Sequence, residues 1–172
     1  IMFLLNRPSW ELAILSGVLV GISYLPLKLS FFAYFGFVPI FFSWIKNGSR
    51  ENLLSGFIFG ITYNFISNYW IGTNSGAELY VVLLSLIFAV LYLSLFWGVA
   101  GAIFGKFNRV RNSYLLLPFL IVTLEWTRSF GPLGFTWGNL ALTQAENLII
   151  LQLIEFAGTY SISFIIIVFN LI

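Results

Sequence analysis

Residues 79–104 read LYVVLLSLIFAVLYLSLFWGVAGAIF, and no charged residue falls between Glu78 and Lys106. A hydrocarbon core about 30 Å thick needs about 20 consecutive apolar residues per helix, roughly 17–25 with tilt. The run therefore predicts a transmembrane helix. It exceeds the length of ordinary strands and does not alternate polar with apolar residues, which argues against a β-barrel. Outward from it, charges and turn residues divide the chain into further apolar runs: 12–25 between Glu11 and the Pro26–Lys28 corner, 29–45, 53–71, the short 113–126, and 148–172. The expected fold is an all-α polytopic membrane bundle of about six transmembrane helices over residues 1–172, with an outer-face loop at 127–147. A secretory signal peptide is a weaker reading of the first run, because no small-residue cleavage site follows it.

Composition agrees. Of 172 residues, 60% are apolar and 8% charged, against about 25% charged in an average soluble domain. So little charge cannot cover a folded surface facing water, and so apolar a chain is not intrinsically disordered. There is no Cys and no His, and all six acids are Glu. Disulfides, thiolate nucleophiles, Cys/His metal sites and a Ser-His-Asp arrangement are excluded within these residues, and no cofactor or metal is expected. A net charge of +2 is too small to hold nucleic acid. The chain starts at Ile1 and stops inside an apolar run, so it reads as part of a longer protein.

Six of the eight basic residues (Arg7, Lys46, Arg50, Lys106, Arg109 and Arg111) fall on one side if the six runs are threaded in order, and Lys28 and Arg128 fall opposite. The positive-inside tendency makes the first side, with the N-terminus, cytoplasmic. Small residues let helices approach where lipid supplies no hydrophobic exclusion, and Gly17/Gly21, Gly56/Gly60 and Gly101/Gly105 have that spacing. Gly60, Asn64 and Asn68 share one face and should point into the bundle, as interhelical hydrogen-bonding groups or as a polar cleft lining. Tyr69, Trp70, Tyr80, Trp126 and Trp137 lie near proposed outer boundaries, where aromatic rings settle at headgroup depth.

One stretch departs from the lipid-facing pattern: residues 124–147, LEWTRSFGPLGFTWGNLALTQAEN. Glu125 and Arg128 stand three apart on one face of a helix end, and Gly131-Pro132 stops that helix. A connection of this length is usually functional or disordered, and its glycines and aromatics suggest a packed, half-immersed loop. Carboxylates at membrane depth are functional hypotheses by default. Glu125 either pairs with Arg128 to fix the turn or contacts a substrate headgroup; Glu155 either lies at the interface or has a role of its own. No general acid–base pair is evident.

Glu125-Trp126, Arg128, Gly134-Phe135-Thr136-Trp137 and Gln144 resemble the membrane-domain signature of bacterial apolipoprotein N-acyltransferases, roughly E-W-x-R, a gap, G-F-P-W, then a small-residue step ending in S-Q. Gln152, Gly158, Tyr160, Ser163-Phe164 and Asn170 resemble the tail of the same pattern, residues 21–39 its first hairpin, and Tyr69-Trp70 the outer end of its third span. Thr136 and Thr143 depart from it, standing where the family has Pro and Ser. The resemblance implies an eight-span bundle with both termini cytoplasmic and a nitrilase-like domain on the outer face. The family moves an acyl chain from a phospholipid to the N-terminal amine of a diacylglyceryl-cysteine lipoprotein through a cysteine thioester, with a Glu base and a Lys oxyanion partner. Those three residues belong to the nitrilase-like domain, so none is carried over, and this segment is expected to be inactive alone. Its implied tasks are to hold that domain at the membrane and to admit lipid sideways. The implied substrate-binding residues are Glu125, Arg128, Trp137 and Gln144, with Arg128 meeting a phospholipid phosphate by charge-assisted bonds. The implied location is the bacterial inner membrane, multi-pass, and the implied partners are the phospholipid donor, the lipoprotein acceptor and membrane lipids. A transporter-like bundle is the competing class, but residues 1–86 and 87–172 show no convincing repeat; a membrane scaffold without acyltransferase role is the other alternative.

Overall fold

The computed structural model describes residues 6–172, and every regular element among them is helical. In chain order these are α1 (Ser9–Ile22), a 3-10 turn (Ser30–Tyr34), α2 (Val38–Lys46), α3 (Ser49–Ser67), a 3-10 turn (Tyr69–Thr73) and α4 (Leu79–Phe107), followed by a 3-10 turn (Ser113–Leu116), α5 (Leu117–Thr127), a 3-10 turn (Leu140–Gln144), α6 (Leu148–Leu151), α7 (Leu153–Ala157) and α8 (Thr159–Phe169). Local chemistry sets several of the starts. Extended Pro8 precedes α1, and Glu11 in its first turn faces the positive end of the dipole and pairs with Arg7 at 2.8 Å. Pro39 and Pro118 occupy the first turns of α2 and α5, where a missing N–H costs nothing.

At 29 residues α4 is about 43 Å long. Among the described residues it is the one helix long and apolar enough to cross a membrane by itself. Ser9–Ile22, Ser30–Lys46 and Ser113–Thr127 are apolar but shorter. The predicted run 148–172 is not one helix. It divides into α6, α7 and α8, and the Leu148–Ala157 stretch meets α8 at 119°. Gly158 makes the corner at φ 71° and ψ 175°, a region essentially restricted to glycine. Hydropathy runs straight through this position because it registers side-chain polarity and not backbone freedom.

Small residues bring the long helices together. A Cβ on Gly56 would stand 2.4 Å from the Trp97 carbonyl oxygen, one on Gly60 2.7 Å from Ser94 Cα, and one on Gly101 2.2 Å from the Asn52 carbonyl oxygen. These contacts run in opposite directions along α3 and α4, so the pair is antiparallel. Gly17 meets Thr62 and Gly21 meets Ile66, so α1 runs parallel to α3. All three predicted glycine pairs therefore lie at helix contacts, Gly105 against Ser49 included.

The interior is aromatic. Phe37, Phe59, Tyr63 and Trp97 touch one another with ring centroids 4.8–5.8 Å apart, and Trp44 stacks on Phe104 at 6.2 Å. Asn64 and Asn68 are buried as the face predicted, but their amides donate locally, to the Gly60 carbonyl at 2.8 Å and to Ser67 Oγ at 3.3 Å. Asn52 does join helices, donating to the carbonyls of Trp44 (2.9 Å) and Asn47 (3.1 Å). Asn170, just past α8, accepts from the Phe37 amide at 2.9 Å and donates to the Ala33 carbonyl at 2.8 Å.

Candidate functional site

Gly131, at φ 81°, turns the chain after α5, and the Phe135 amide then returns to the Arg128 carbonyl at 2.8 Å. The loop next plunges back into the bundle, with Leu140 fully buried and Gln144 at 1% exposure. Asn147 ends it by accepting the Ile150 amide at the start of α6.

The Gly138 carbonyl is the hub. It accepts from Tyr63 Oη at 2.8 Å, Arg128 Nη2 at 3.0 Å and Tyr24 Oη at 3.1 Å, and Tyr63 and Tyr24 are themselves 2.9 Å apart. A carbonyl has two lone pairs and each tyrosine one proton. The economical arrangement gives the carbonyl to Tyr63 and Arg128, with Tyr24 donating to Tyr63. A Cβ on residue 138 would lie 3.1 Å from Tyr63 Oη and 3.3 Å from Arg128 Nη2, so a bare backbone fits best there.

Glu125 is completely buried and accepts the Leu140 amide at 2.7 Å. The sequence left a Glu125–Arg128 ion pair open, and the structure does not form it. No N···O distance between the two is within 4.0 Å, and Glu125 Oε2, Arg128 Nε and Arg128 Nη1 have no hydrogen-bond partner. The reason is geometric: Arg128 is committed to one loop carbonyl and Glu125 to a loop amide two residues on. Ser163 of α8 stands beside the carboxylate.

The four residues singled out in the sequence thus separate into two kinds. Glu125, Arg128 and Gln144 are buried and bond to protein; Gln144 reaches the Ser30 carbonyl at 3.3 Å. Trp137 is 59% exposed and rests against Trp70, ring centroids 5.4 Å apart. Glu155 is exposed on α7. Sequence reading missed Tyr24 and Tyr63, which lie 114 and 75 positions from their partner and show nothing locally but a polar atom in an apolar run.

Two clefts flank the loop. One, of about 660 Å³, is walled by Tyr24, Ser67, Trp70, Trp137, Asn139 and Tyr160. The other, of about 760 Å³, lies between the loop tip Pro132–Phe135 and the apolar face of α4 around Leu84 and Phe88. The first offers hydroxyl, amide and indole groups among apolar walls, and the second is mainly apolar.

Residues 16–172 match the family model described as the apolipoprotein N-acyltransferase N-terminal domain. An apolipoprotein N-acyltransferase of Geobacter metallireducens is 29% identical over 171 residues, covering 96% of this chain and 33% of that protein. Apolipoprotein N-acyltransferase 1 of Treponema denticola is 29% identical over 163 residues, covering 92% and 29%. The chain spans about a third of the length of these relatives. With a family match over nearly its whole length, this all-α chain belongs to the apolipoprotein N-acyltransferase family, as its N-terminal region.

Proposed function

We propose that this chain is the membrane portion of an apolipoprotein N-acyltransferase. It crosses the bacterial inner membrane several times, about six, with its N-terminus cytoplasmic. It holds the acyl-transfer machinery at the outer face and admits a phospholipid donor sideways, so that an acyl chain passes through a cysteine thioester to the N-terminal amine of a lipoprotein. Acyl chains are apolar, and a cleft opening toward lipid lets them arrive without crossing water.

The observation that carries the reading is the pair of clefts on either side of the loop, one apolar against α4 and one bearing polar groups under Trp137. Helix directions support the topology: α1 and α3 run together and α4 runs back, as alternate crossings require. Of the four residues, Trp137 is the one that would touch lipid. Glu125, Arg128 and Gln144 are positioning residues that fix the loop carrying it.

A phospholipid with a photoactivatable group at the end of one acyl chain tests this in proteoliposomes. Crosslinks are expected at Leu84, Phe88 and Leu133, and Trp137→Ala should lower the yield severalfold. Labelling spread evenly over all lipid-facing residues, unchanged by Trp137→Ala, would refute the proposed entry. In cells depleted of their own enzyme, the gene that encodes this sequence should restore lipoprotein N-acylation.

A further inference from the structure

At the end of α4 opposite the loop, the α2–α3 corner leaves a notch of about 430 Å³ with a predominantly polar lining. Lys46 in the last turn of α2, Lys106 in the last turn of α4, and Arg109 just beyond line it. Among the described residues none of the three has an acidic partner within 4.0 Å; Arg7 pairs with Glu11 at this end. Glu51 accepts from Ser9 on α1 and does not line the notch. Lys46 Nζ sits 4.1 Å over the Phe42 ring, which holds the ammonium at the rim. Gly48, also in the lining, borders open space: a Cβ there would meet nothing within 4 Å.

We propose that this notch binds the phosphate headgroup of an anionic phospholipid, apart from the acyl-donor clefts. Two lysines and an arginine line a space of headgroup size, and such cations bond phosphate oxygens by charge-assisted hydrogen bonds. The apolar surroundings favour lipid over free phosphate. Leu95 and Val99 stand on α4 within about 20° of Lys106 around the helix, and both are exposed. A headgroup in the notch therefore places its acyl chains along a greasy face that runs away from it. Basic pockets between helices at a membrane boundary take anionic headgroups for this reason. The proposal rests on α4 crossing the bilayer, and does not depend on which leaflet the notch faces.

The test uses the chain in detergent micelles, with lipid binding read by native mass spectrometry. Phosphatidylglycerol should bind at least about tenfold more tightly than phosphatidylcholine. Lys106→Ala and Arg109→Ala should each weaken it about fivefold, while Arg109→Lys and the distant Lys28→Gln leave it nearly unchanged. Raising salt should erode the preference in the unaltered chain. Equal binding of the two lipids, or alanine variants that bind phosphatidylglycerol as before, would overturn the proposal. Displacement of the lipid by millimolar inorganic phosphate would instead assign the notch to a soluble anion and overturn the lipid assignment. Retention of the chain in carbonate-washed membranes reads the α4 crossing separately.

Discussion

Glu125 and Arg128 are the charged residues most deeply buried in the bundle, and they serve the loop more than each other. A buried carboxylate costs less when an amide satisfies it, and removing it leaves the Leu140 N–H orphaned. Glu125→Ala should therefore lower stability by about 2–3 kcal/mol, while Glu125→Gln, which keeps an acceptor oxygen, should lose markedly less. Thermal melts in detergent check this; equal losses would mean that charge, not the hydrogen bond, holds the loop. Both residues stood out in the sequence because charge is rare there. Their partners did not. A backbone carbonyl at residue 138 or an amide at 140 has no sequence mark, and the Tyr24–Tyr63–Gly138 contact exists only after three distant elements meet.

Among elements, the α3–α4 contact is the closest and the most legible. Four-residue glycine spacing marked both helices, and the backbones do approach across Gly56, Gly60 and Gly101. Gly56→Ala should cost about 1–3 kcal/mol, because its methyl would press on the Trp97 carbonyl. Gly48→Ala meets nothing within 4 Å but replaces a favourable N-cap residue of α3, and should cost less, at most about 1 kcal/mol. Comparing the two unfolding midpoints isolates the contact from the general effect of adding a methyl group. The α7–α8 corner was the illegible element. Gly158 sits in a run whose average hydropathy still passes for a transmembrane helix, and the corner is made at its positive φ.

For the whole molecule, hydropathy and charge sidedness yielded a helical class and a threading order, but length separates the elements. Residues 29–45 and 113–126 begin as 3-10 turns, so the helices they contain are shorter than the apolar runs. None of these 172 residues is cysteine, so a thiol introduced here is the one such group in the segment. Arg111→Cys should be shielded from a membrane-impermeant reagent added outside intact cells, and Ser129→Cys should react. The reverse pattern would invert the proposed orientation.

The Asn170 side chain carries a consequence for assembly. It supplies the partner of the Phe37 amide and of the Ala33 carbonyl, 133 and 137 positions earlier. During synthesis the Phe37 amide and the Ala33 carbonyl wait for these partners until Asn170 has been made. Truncation before Asn170 should therefore loosen the seat of residues 33–37, read as faster proteolysis there than in the unaltered chain.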